Sequence, residues 1–300
     1  MLDLPHRPVA LGADTPDRIR TRFGFVPDKR RKQLRTYVGA WALTSASLGA
    51  ATALHPYLGR SANHRLARSW ARRVTRSLEI DFTVNGLEQV DPSVQYLVMP
   101  LHEGFVDIPA ILHLPIDLRF TVREELLSMR NVGPYIAATR QILIPETPSV
   151  GGYKALYADI ESALSTGDSI VIFPQGSVLG VEVAFKAGVS RIAHRFGIPV
   201  LPVVISGTHR VWEYPFTQTV RFGQNVAMTV LPPVAPDNAT VERIRRVEAD
   251  MKSLAVSNLE APVRRFTPER DGWWDGYSFE IDDGFPELGS EMTLHRSTQL

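Results

Sequence analysis

Apolar residues follow two different periods along this chain. From residue 80 onward, short runs rich in valine, isoleucine and leucine alternate with longer segments in which apolar positions recur every three or four residues. The first pattern is typical of buried β-strands and the second of amphipathic helices. It predicts strands at residues 80–84, 95–99, 118–122, 142–144, 169–173, 200–205 and 226–231. It predicts helices at residues 61–78, 124–138, 150–165, 186–196 and 240–258. Such alternation indicates an α/β fold, a mixed sheet covered by helices.

The same pattern divides the chain into four parts. Residues 1–28 carry several prolines and little periodicity, which predicts an extended arm. Residues 29–78 form a basic helical segment, residues 79–258 hold the strand and helix alternation of one catalytic domain, and residues 259–300 form an acidic tail. The chain contains no cysteine, which excludes disulfides, thiolate metal sites and a cysteine nucleophile.

The charge is unevenly distributed. Residues 1–77 carry 15 Lys and Arg against 4 Asp and Glu, whereas the remainder carries 18 against 28. A basic segment of this kind suits an anionic surface, either nucleic acid or the cytoplasmic face of a membrane. Between its basic clusters, residues 37–59 contain no Asp, Glu, Lys or Arg.

The uncharged stretch is long enough to cross a bilayer, but its composition argues against a simple crossing. It is rich in Ala, Ser, Thr and Gly, and both of its flanks are basic. These features favour a helical hairpin or an in-plane segment in one leaflet, which predicts a peripheral or monotopic protein on the cytoplasmic face of the cell membrane. The alternative is a buried amino-terminal helix of the domain core.

One local run carries recognisable chemistry. Residues 97–107 read as an apolar strand that ends in a turn presenting His102, with Asp107 five residues later. A carboxylate can hold the Nδ1 side of a histidine and leave Nε2 free to take a proton, so that a substrate hydroxyl replaces the serine of a catalytic triad. Taken alone, the spacing also fits a turn histidine followed by a helix-capping aspartate.

Further blocks follow in order. Residues 170–177 (IVIFPQGS) run from a strand into a turn, residues 185–188 read FKAG, and residues 197–205 read GIPVLPVVI. Together with His102 and Asp107, these blocks resemble the glycerolphosphate and lysophosphatidic acid acyltransferase family, whose blocks run His-x4-Asp, Phe-Pro-Glu-Gly-Thr-Arg, Phe-Lys-x-Gly and Val-Pro-Val. The segment from Arg123 to Glu146 stands where that family has its second block.

The resemblance implies a glycerolphosphate acyltransferase-like fold in residues 79–258 and transfer from acyl-CoA or acyl-carrier protein without an acyl-enzyme. It implies no metal and no cofactor beyond the acyl thioester co-substrate. His102 would be the general base and Asp107 its orienting partner. The implied substrate-binding residues are Phe173, Pro174, Gln175, Gly176, Ser177, Lys186, Arg140 and Glu146. Of the candidate anion contacts, Lys186 matches a lysine of the family, and Arg123, Arg140 and Arg210 are further cations.

This sequence departs from the family where the family holds phosphate. Gln175 replaces a glutamate, Ser177 a threonine, Val178 an arginine, and Glu146 the arginine that closes the second block. A carboxylate repels a phosphate, so these departures predict a neutral hydroxyl or amine on a lipid or natural-product acceptor and poor use of lysophosphatidic acid. Alternatively, Lys186 and Arg140 rebuild a phosphate site.

Three classes of function compete. The first is an acyltransferase with an unusual lipid or natural-product acceptor, to which a lysophosphatidic acid acyltransferase of phospholipid synthesis is the alternative. The second is a catalytically inert relative that binds acyl chains or membranes, which Gln175 would favour. The third, a nucleic-acid-binding protein, is suggested only by the basic residues before position 78, and the sequence shows neither a helix-turn-helix pattern nor aromatic and basic residues interleaved on a β-platform. We therefore expect no nucleic-acid partner.

Overall fold

The fold is taken from a computed structural model. The structure describes residues 30–130, 132–145, 149–176, 181, 183–211, 222–257 and 290. Predictions for the arm at 1–28, and for the tail apart from Ser290, lie outside the described residues. So do Glu146, Ser177 and Val178, and so does the side chain of Arg210.

The described residues form helices and strands in alternation. The helices are α1 (Arg30–Leu54), α2 (Arg60–Ser77), α3 (Asp107–Ile111), α4 (Gly133–Ala138), α5 (Val150–Ser165), α6 (Gly188–Phe196), α7 (Thr208–Val211) and α8 (Val241–Ser257). The strands are β1 (Asp81–Asn85), β2 (Leu97–Pro100), β3 (Leu118–Arg123), β4 (Ile142–Ile144), β5 (Ser169–Val171), β6 (Val200–Ser206) and β7 (Asn225–Val230).

The strands make one mixed sheet in the order β1-β7-β6-β2-β5-β3-β4. Strands β2 to β6 are parallel, β7 is antiparallel to β6, and β1 is parallel to β7. The expectation of a mixed sheet covered by helices is confirmed. Because β2 to β6 share one direction, their carboxyl ends meet at a single edge, where α/β proteins bind ligands.

The core lies on both faces of this sheet. Successive side chains of a strand point to opposite faces. Leu97 and Met99 therefore pack with residues of α5, α6 and α8, whereas Val98 packs with α2 and α3. Strands covered on both sides become continuously apolar, which explains why β2, β5 and β6 were recognisable as short runs of apolar residues.

The predicted helix at 124–138 is wrong in one respect, because the chain forms two shorter elements there. A 3₁₀ turn spans Glu124–Ser128, and α4 begins only at Gly133. A Cβ on Gly133 would lie 1.9 Å from the carbonyl oxygen of Leu127, so the two elements approach closely only because position 133 has no side chain. Pro134 lies in the first turn of α4, a position that suits proline.

Helix α1 lies on the surface of the domain. It packs against α2 and α4, and the indole of Trp70 on α2 donates a hydrogen bond to the Thr44 hydroxyl at 3.2 Å. No described side chain of α1 is fully buried, and Val38 and Leu54 are exposed. The described side chains of α1 therefore do not support the alternative of a buried core helix. Over the described part of the chain, none of the helices combines the length and the apolar character needed to cross a membrane.

Helix α2 is fixed to the domain by charges around Asp168, at the amino end of β5. The carboxylate of Asp168, 1% exposed, lies 2.7 Å from Arg60 Nε, 2.9 Å from His64 Nε2 and 2.6 Å from a terminal nitrogen of Arg119. Arg60 and His64 belong to α2, and Arg119 to β3. The network thus joins the basic segment to the edge of the sheet opposite the carboxyl ends of β2 to β6.

Candidate active site

The sequence-predicted catalytic residues lie just beyond the carboxyl end of β2. This strand ends at Pro100, and Leu101 is still fully buried and bonded to β6 through its backbone. The chain then turns, presents His102, and begins α3 at Asp107. Strands β5 and β6 both pair with β2. Residues 173–176 follow β5 and Thr208 follows β6, so both reach the same edge of the sheet.

His102 and Asp107 form the predicted pair. Nδ1 of His102 lies 2.6 Å from Oδ2 of Asp107, and the two side chains are 18% and 0% exposed. An ionised carboxylate only accepts hydrogen bonds, so Nδ1 must carry the proton of this contact. The lone pair of the neutral ring therefore lies on Nε2, the nitrogen that can take a proton from a substrate.

Asp107 is held by more than the histidine. Its Oδ2 also accepts the backbone N–H groups of Glu103 at 2.6 Å and Gly104 at 3.0 Å, and its Oδ1 accepts the hydroxyl of Thr208. Three of these donors come from the turn that carries His102, and the fourth comes from the end of β6. A buried carboxylate with this many donors is fixed in orientation, and it fixes the imidazole in turn.

The turn after β5 packs directly on the histidine. The ring of Phe173 stacks on the His102 ring with centroids 4.0 Å apart. Pro174 and Gln175 are buried, and Gly176 closes the turn with φ +68° and a backbone hydrogen bond to Phe173 of 3.1 Å. A left-handed backbone of this kind favours glycine. The structure therefore brings these four predicted site residues next to the catalytic pair.

Lys186 lies against the same turn. Its backbone N–H donates to the carbonyl of Pro174 at 3.0 Å, and its Nζ is 3.4 Å from the point where a Cβ on Gly176 would lie. Partial burial of the ammonium group, followed by the positive charge of Arg123, lowers the pKa of Lys186. Arg123 ends β3 and pairs with Glu125 at 2.9 Å. The predicted substrate-binding turn is therefore in contact with one cation, Lys186, on which the charge of Arg123 also acts.

Helix α8 supports the segment that carries Lys186. The carboxylate of Glu248 accepts the backbone N–H of Phe185 at 2.8 Å and lies 2.9 Å from Nζ of Lys252. Glu248 is 4% exposed and Lys252 is fully buried. Arg245 reaches the other oxygen of Glu248 at 3.0 Å. The hydrogen bond from the Phe185 backbone to Glu248 fixes the start of the FKAG segment. Helix α8 covers one face of the sheet and α2 covers the other.

The structure does not bring Arg140 to this site. Arg140 is exposed, has φ +50°, and lies in the turn between α4 and the amino end of β4. Strand β4 is parallel to β3, so this turn is on the far side of β4 from the carboxyl edge. The suggestion that Arg140 and Lys186 together rebuild a phosphate site is wrong, and Arg123 is the cation that the fold places near Lys186.

Two residues of the site escaped sequence reasoning. Thr208 comes one glycine after β6, the longest apolar strand of the sheet. A residue directly after a parallel strand lies at the carboxyl edge, so this position indicated that Thr208 would be near His102. Glu248 had no comparable signal. A single acidic residue within an amphipathic helix is most often solvated, and only the tertiary structure shows that it is buried.

A His–Asp pair with a fully buried aspartate, at the carboxyl edge of an α/β sheet, is compatible with general acid–base chemistry. Residues 81–206 match the family described as Acyltransferase, which includes the His102 turn, the Phe173 turn and the FKAG segment. This match covers 126 of the 300 residues and agrees with the resemblance seen in the sequence motifs.

Comparisons with individual proteins agree. The chain is 23% identical over 155 residues to a 1-acyl-sn-glycerol-3-phosphate acyltransferase of Limnanthes alba, covering 49% of this chain and 52% of that protein. It is 26% identical over 179 residues to an enzyme of the same name from Chlamydomonas reinhardtii, covering 58% and 53%. The chain thus spans about half the length of these curated relatives.

The fold has a solved counterpart. The crystal structure of the 1-acyl-sn-glycerophosphate (LPA) acyltransferase PlsC from Thermotoga maritima superposes with a TM-score of 0.64 at 24% identity, covering 80% of this chain and all of that one. This likeness supports the α/β fold described above, a central mixed sheet with helices.

Proposed function

We propose that this chain transfers an acyl group from acyl-CoA or acyl-carrier protein to a hydroxyl, or an amine, of a lipid-like acceptor. His102 acts as the general base and Asp107 orients it. The observation that carries this proposal is the 2.6 Å contact between His102 Nδ1 and the fully buried carboxylate of Asp107. This contact leaves Nε2 as the proton acceptor at the edge of the sheet where ligands bind.

The proposed reaction needs no acyl-enzyme. Nε2 of His102 removes the proton of the acceptor hydroxyl as its oxygen attacks the thioester carbonyl carbon. The tetrahedral intermediate then collapses, the carbon–sulfur bond breaks, and the thiolate takes the proton back from the imidazolium. Asp107 stabilises the imidazolium that forms in between, and it stays ionised throughout.

The acceptor that we favour is a lysophosphatidic acid-type lipid. Lys186 lies against the Phe173 turn and the positive charge of Arg123 acts on it, so a phosphate bound there would be stabilised. The curated relatives bear the name of 1-acyl-sn-glycerol-3-phosphate acyltransferases, which agrees with this choice. The expectation of a neutral acceptor rested on Glu146, Gln175 and Val178, of which only Gln175 lies within the described residues.

A neutral acceptor remains the second candidate because of Gln175. Its side chain is fully buried in the turn that stacks on His102, where the family has a charged glutamate. An amide both donates and accepts hydrogen bonds, which suits an uncharged hydroxyl of the acceptor. An inert relative is the third candidate, since the same substitution removes a carboxylate from the turn.

One experiment separates the three candidates. Purified full-length protein is incubated with radiolabelled acyl-CoA and either lysophosphatidic acid or the monoacylglycerol that lacks only the phosphate, and the labelled lipids are resolved by chromatography. We expect efficient transfer to lysophosphatidic acid. Preferential transfer to monoacylglycerol would support the neutral acceptor. If neither lipid is acylated from acyl-CoA or acyl-carrier protein while the protein still binds acyl-CoA, the chain is an inert relative.

We further propose that the basic segment contacts the cytoplasmic face of a membrane. Besides Arg60, which pairs with Asp168, helix α2 carries four further exposed arginines: Arg65, Arg72, Arg73 and Arg76. The turn between α1 and α2 exposes Leu54 and Tyr57, the latter to 85%. Cations beside exposed apolar side chains suit the headgroup region of an anionic bilayer, where a lipid acceptor resides.

A further inference from the structure

Asp107 is fully buried, so both of its carboxylate oxygens must find donors within the protein. Oδ2 has three: Nδ1 of His102 and the backbone N–H groups of Glu103 and Gly104. Oδ1 accepts the hydroxyl of Thr208, which is itself 0% exposed. The two residues are 101 positions apart in sequence, so this contact is a product of the fold.

The backbone before Thr208 is shaped to make this contact. Strand β6 pairs in parallel with β2, with Val203 opposite Pro100, and it continues to Ser206, beyond the end of β2 where the His102 turn begins. Gly207 follows β6 with φ +94°, and a Cβ there would lie 2.4 Å from the carbonyl oxygen of Asn225. Only glycine tolerates this conformation and this close approach. The chain therefore turns at Gly207 and directs Thr208 inward at the start of α7.

We propose that Thr208 is a positioning residue for catalysis, which acts on His102 through Asp107. Its hydroxyl fixes the rotation of the Asp107 carboxylate, so that Oδ2 faces Nδ1 of His102 and Oδ1 faces β6. The proton of Nδ1 then stays on the Asp107 side of the ring, and Nε2 keeps its lone pair toward the substrate. Thr208 does not touch the reacting atoms. This inference rests on the proposed role of the His102–Asp107 pair.

Three variants test the inference. Thr208→Val has nearly the same shape but lacks the hydroxyl, and Thr208→Ser keeps the hydroxyl. Thr75→Val is the matched control, because Thr75 is also buried but donates only to backbone carbonyls of its own helix, Ala71 at 3.1 Å and Arg72 at 3.2 Å. The measurements are kcat and KM for both substrates, the melting temperature, and the proton resonance of His102 Nδ1–H in histidine-labelled protein, assigned by its loss in His102→Ala.

Thr208→Val should lower kcat on the order of 10- to 100-fold, the fold-change equivalent of one hydrogen bond to a charged group, with both KM values little changed. Thr208→Ser should restore most of the rate. The Nδ1–H resonance should shift or broaden in Thr208→Val but stay in place in Thr208→Ser and Thr75→Val. If Thr208→Val does not fold, Thr208→Ala takes its place in the same comparisons.

Wild-type kcat in Thr208→Val, or equal losses in Thr208→Val and Thr208→Ser, would overturn the inference. So would an unchanged Nδ1–H resonance in Thr208→Val. The failure of the proposed function looks different. In that case His102→Ala keeps wild-type turnover, and the resonance alone then decides whether Thr208 positions the pair.

Discussion

Lys186 places a positive charge beside the turn that stacks on the catalytic histidine. Its Nζ is close to Gly176, and Arg123 adds a second charge nearby. Partial burial and then the charge of Arg123 lower the pKa of Lys186, so the ammonium ion is less favoured there than in water. A bound anion would reverse this effect. We therefore assign Lys186 to substrate binding and not to the chemical step.

Lys186→Met should raise KM for the substrate whose phosphate Lys186 contacts, with kcat little changed. The loss of one hydrogen bond to a charged group corresponds to an increase in KM on the order of 10- to 100-fold. Separate titrations of acyl donor and acceptor show which of the two is affected. Lys154→Met on α5 is the matched control, since Lys154 is an exposed lysine on a helix. Unchanged KM values for both substrates would remove Lys186 from the site.

At the scale of residues, the sequence identified those site residues that lie together on one short segment. His102 and Asp107 are five residues apart on one turn, and Phe173 to Gly176 form another turn, so each group could be recognised within one short segment. The partners that come from distant segments could not be found in this way. Thr208 and Glu248 reach the site only after β6 and α8 have packed, and the exclusion of Arg140 likewise depends on the direction of β4.

At the scale of elements, α8 contributes a buried ion pair that supports the FKAG segment. Glu248→Gln should destabilise the protein by about 3–5 kcal/mol, because the fully buried ammonium of Lys252 then loses the carboxylate placed 2.9 Å from it. Lys252→Met should cost less, since Glu248 keeps its contacts with Arg245 and the Phe185 backbone. Urea unfolding measures both free energies. A larger loss in Lys252→Met would contradict this ranking.

The network that holds α2 should make stability depend on pH. Burial alone would raise the pKa of Asp168. The hydrogen bonds from His64 and Arg60 outweigh this effect, with a further contribution from the charge of Arg119, and the pKa lies well below its ordinary value of 3.8. The unfolded chain therefore binds a proton at Asp168 more readily than the folded protein does. The resulting stability is present above pH 3.8 and is lost as the pH falls below it.

Asp168→Asn should remove this dependence. We expect the variant to be less stable than the wild type at neutral pH, and the difference between the two free energies of unfolding to shrink as the pH falls from about 5 to about 2. Urea unfolding across that range measures the difference. Glu161→Gln, at an exposed position of α5, should follow the wild type throughout. A constant difference between wild type and Asp168→Asn would exclude the assigned role.

Most elements could be predicted because strands and helices of this fold have different apolar periods. Helix α5 begins and ends as predicted, with Ser149 capping it through a 3.0 Å bond from Gly152. The short helices α3 and α7 were missed because four or five residues are too few to show a period. The strand order could not be predicted either. Pairing partners far apart in sequence leave no local signal, as β1 and β7 show.

At the scale of the whole molecule, the exposed arginines of α2 should govern membrane binding. Each basic residue near an anionic surface contributes about 1 kcal/mol, so replacing four of them with glutamine should weaken partitioning by on the order of 10²- to 10³-fold. Co-sedimentation with vesicles of phosphatidylcholine, with and without phosphatidylserine, measures this effect. The replaced residues are Arg65, Arg72, Arg73 and Arg76.

A matched variant controls for net charge. Glutamine at the exposed positions Arg191, Arg195, Arg243 and Arg246 removes the same number of charges from α6 and α8, which cover the other face of the sheet. This variant should bind anionic vesicles almost as well as the wild type. Equal losses in the two variants would mean that binding follows net charge alone. Negligible binding of the wild type to both kinds of vesicle would contradict a membrane role for the basic segment.

The central claim is that His102 is the general base of acyl transfer, and the initial rate of His102→Ala tests it most directly. His113→Ala is the control, since His113 is a half-buried histidine whose Nδ1 contacts the backbone carbonyl of Pro109 at 2.8 Å. With the best acceptor found, we predict a loss on the order of 10²- to 10⁴-fold in His102→Ala, near-normal rates in His113→Ala, and cooperative unfolding of both. Wild-type turnover by a folded His102→Ala would contradict the proposed mechanism.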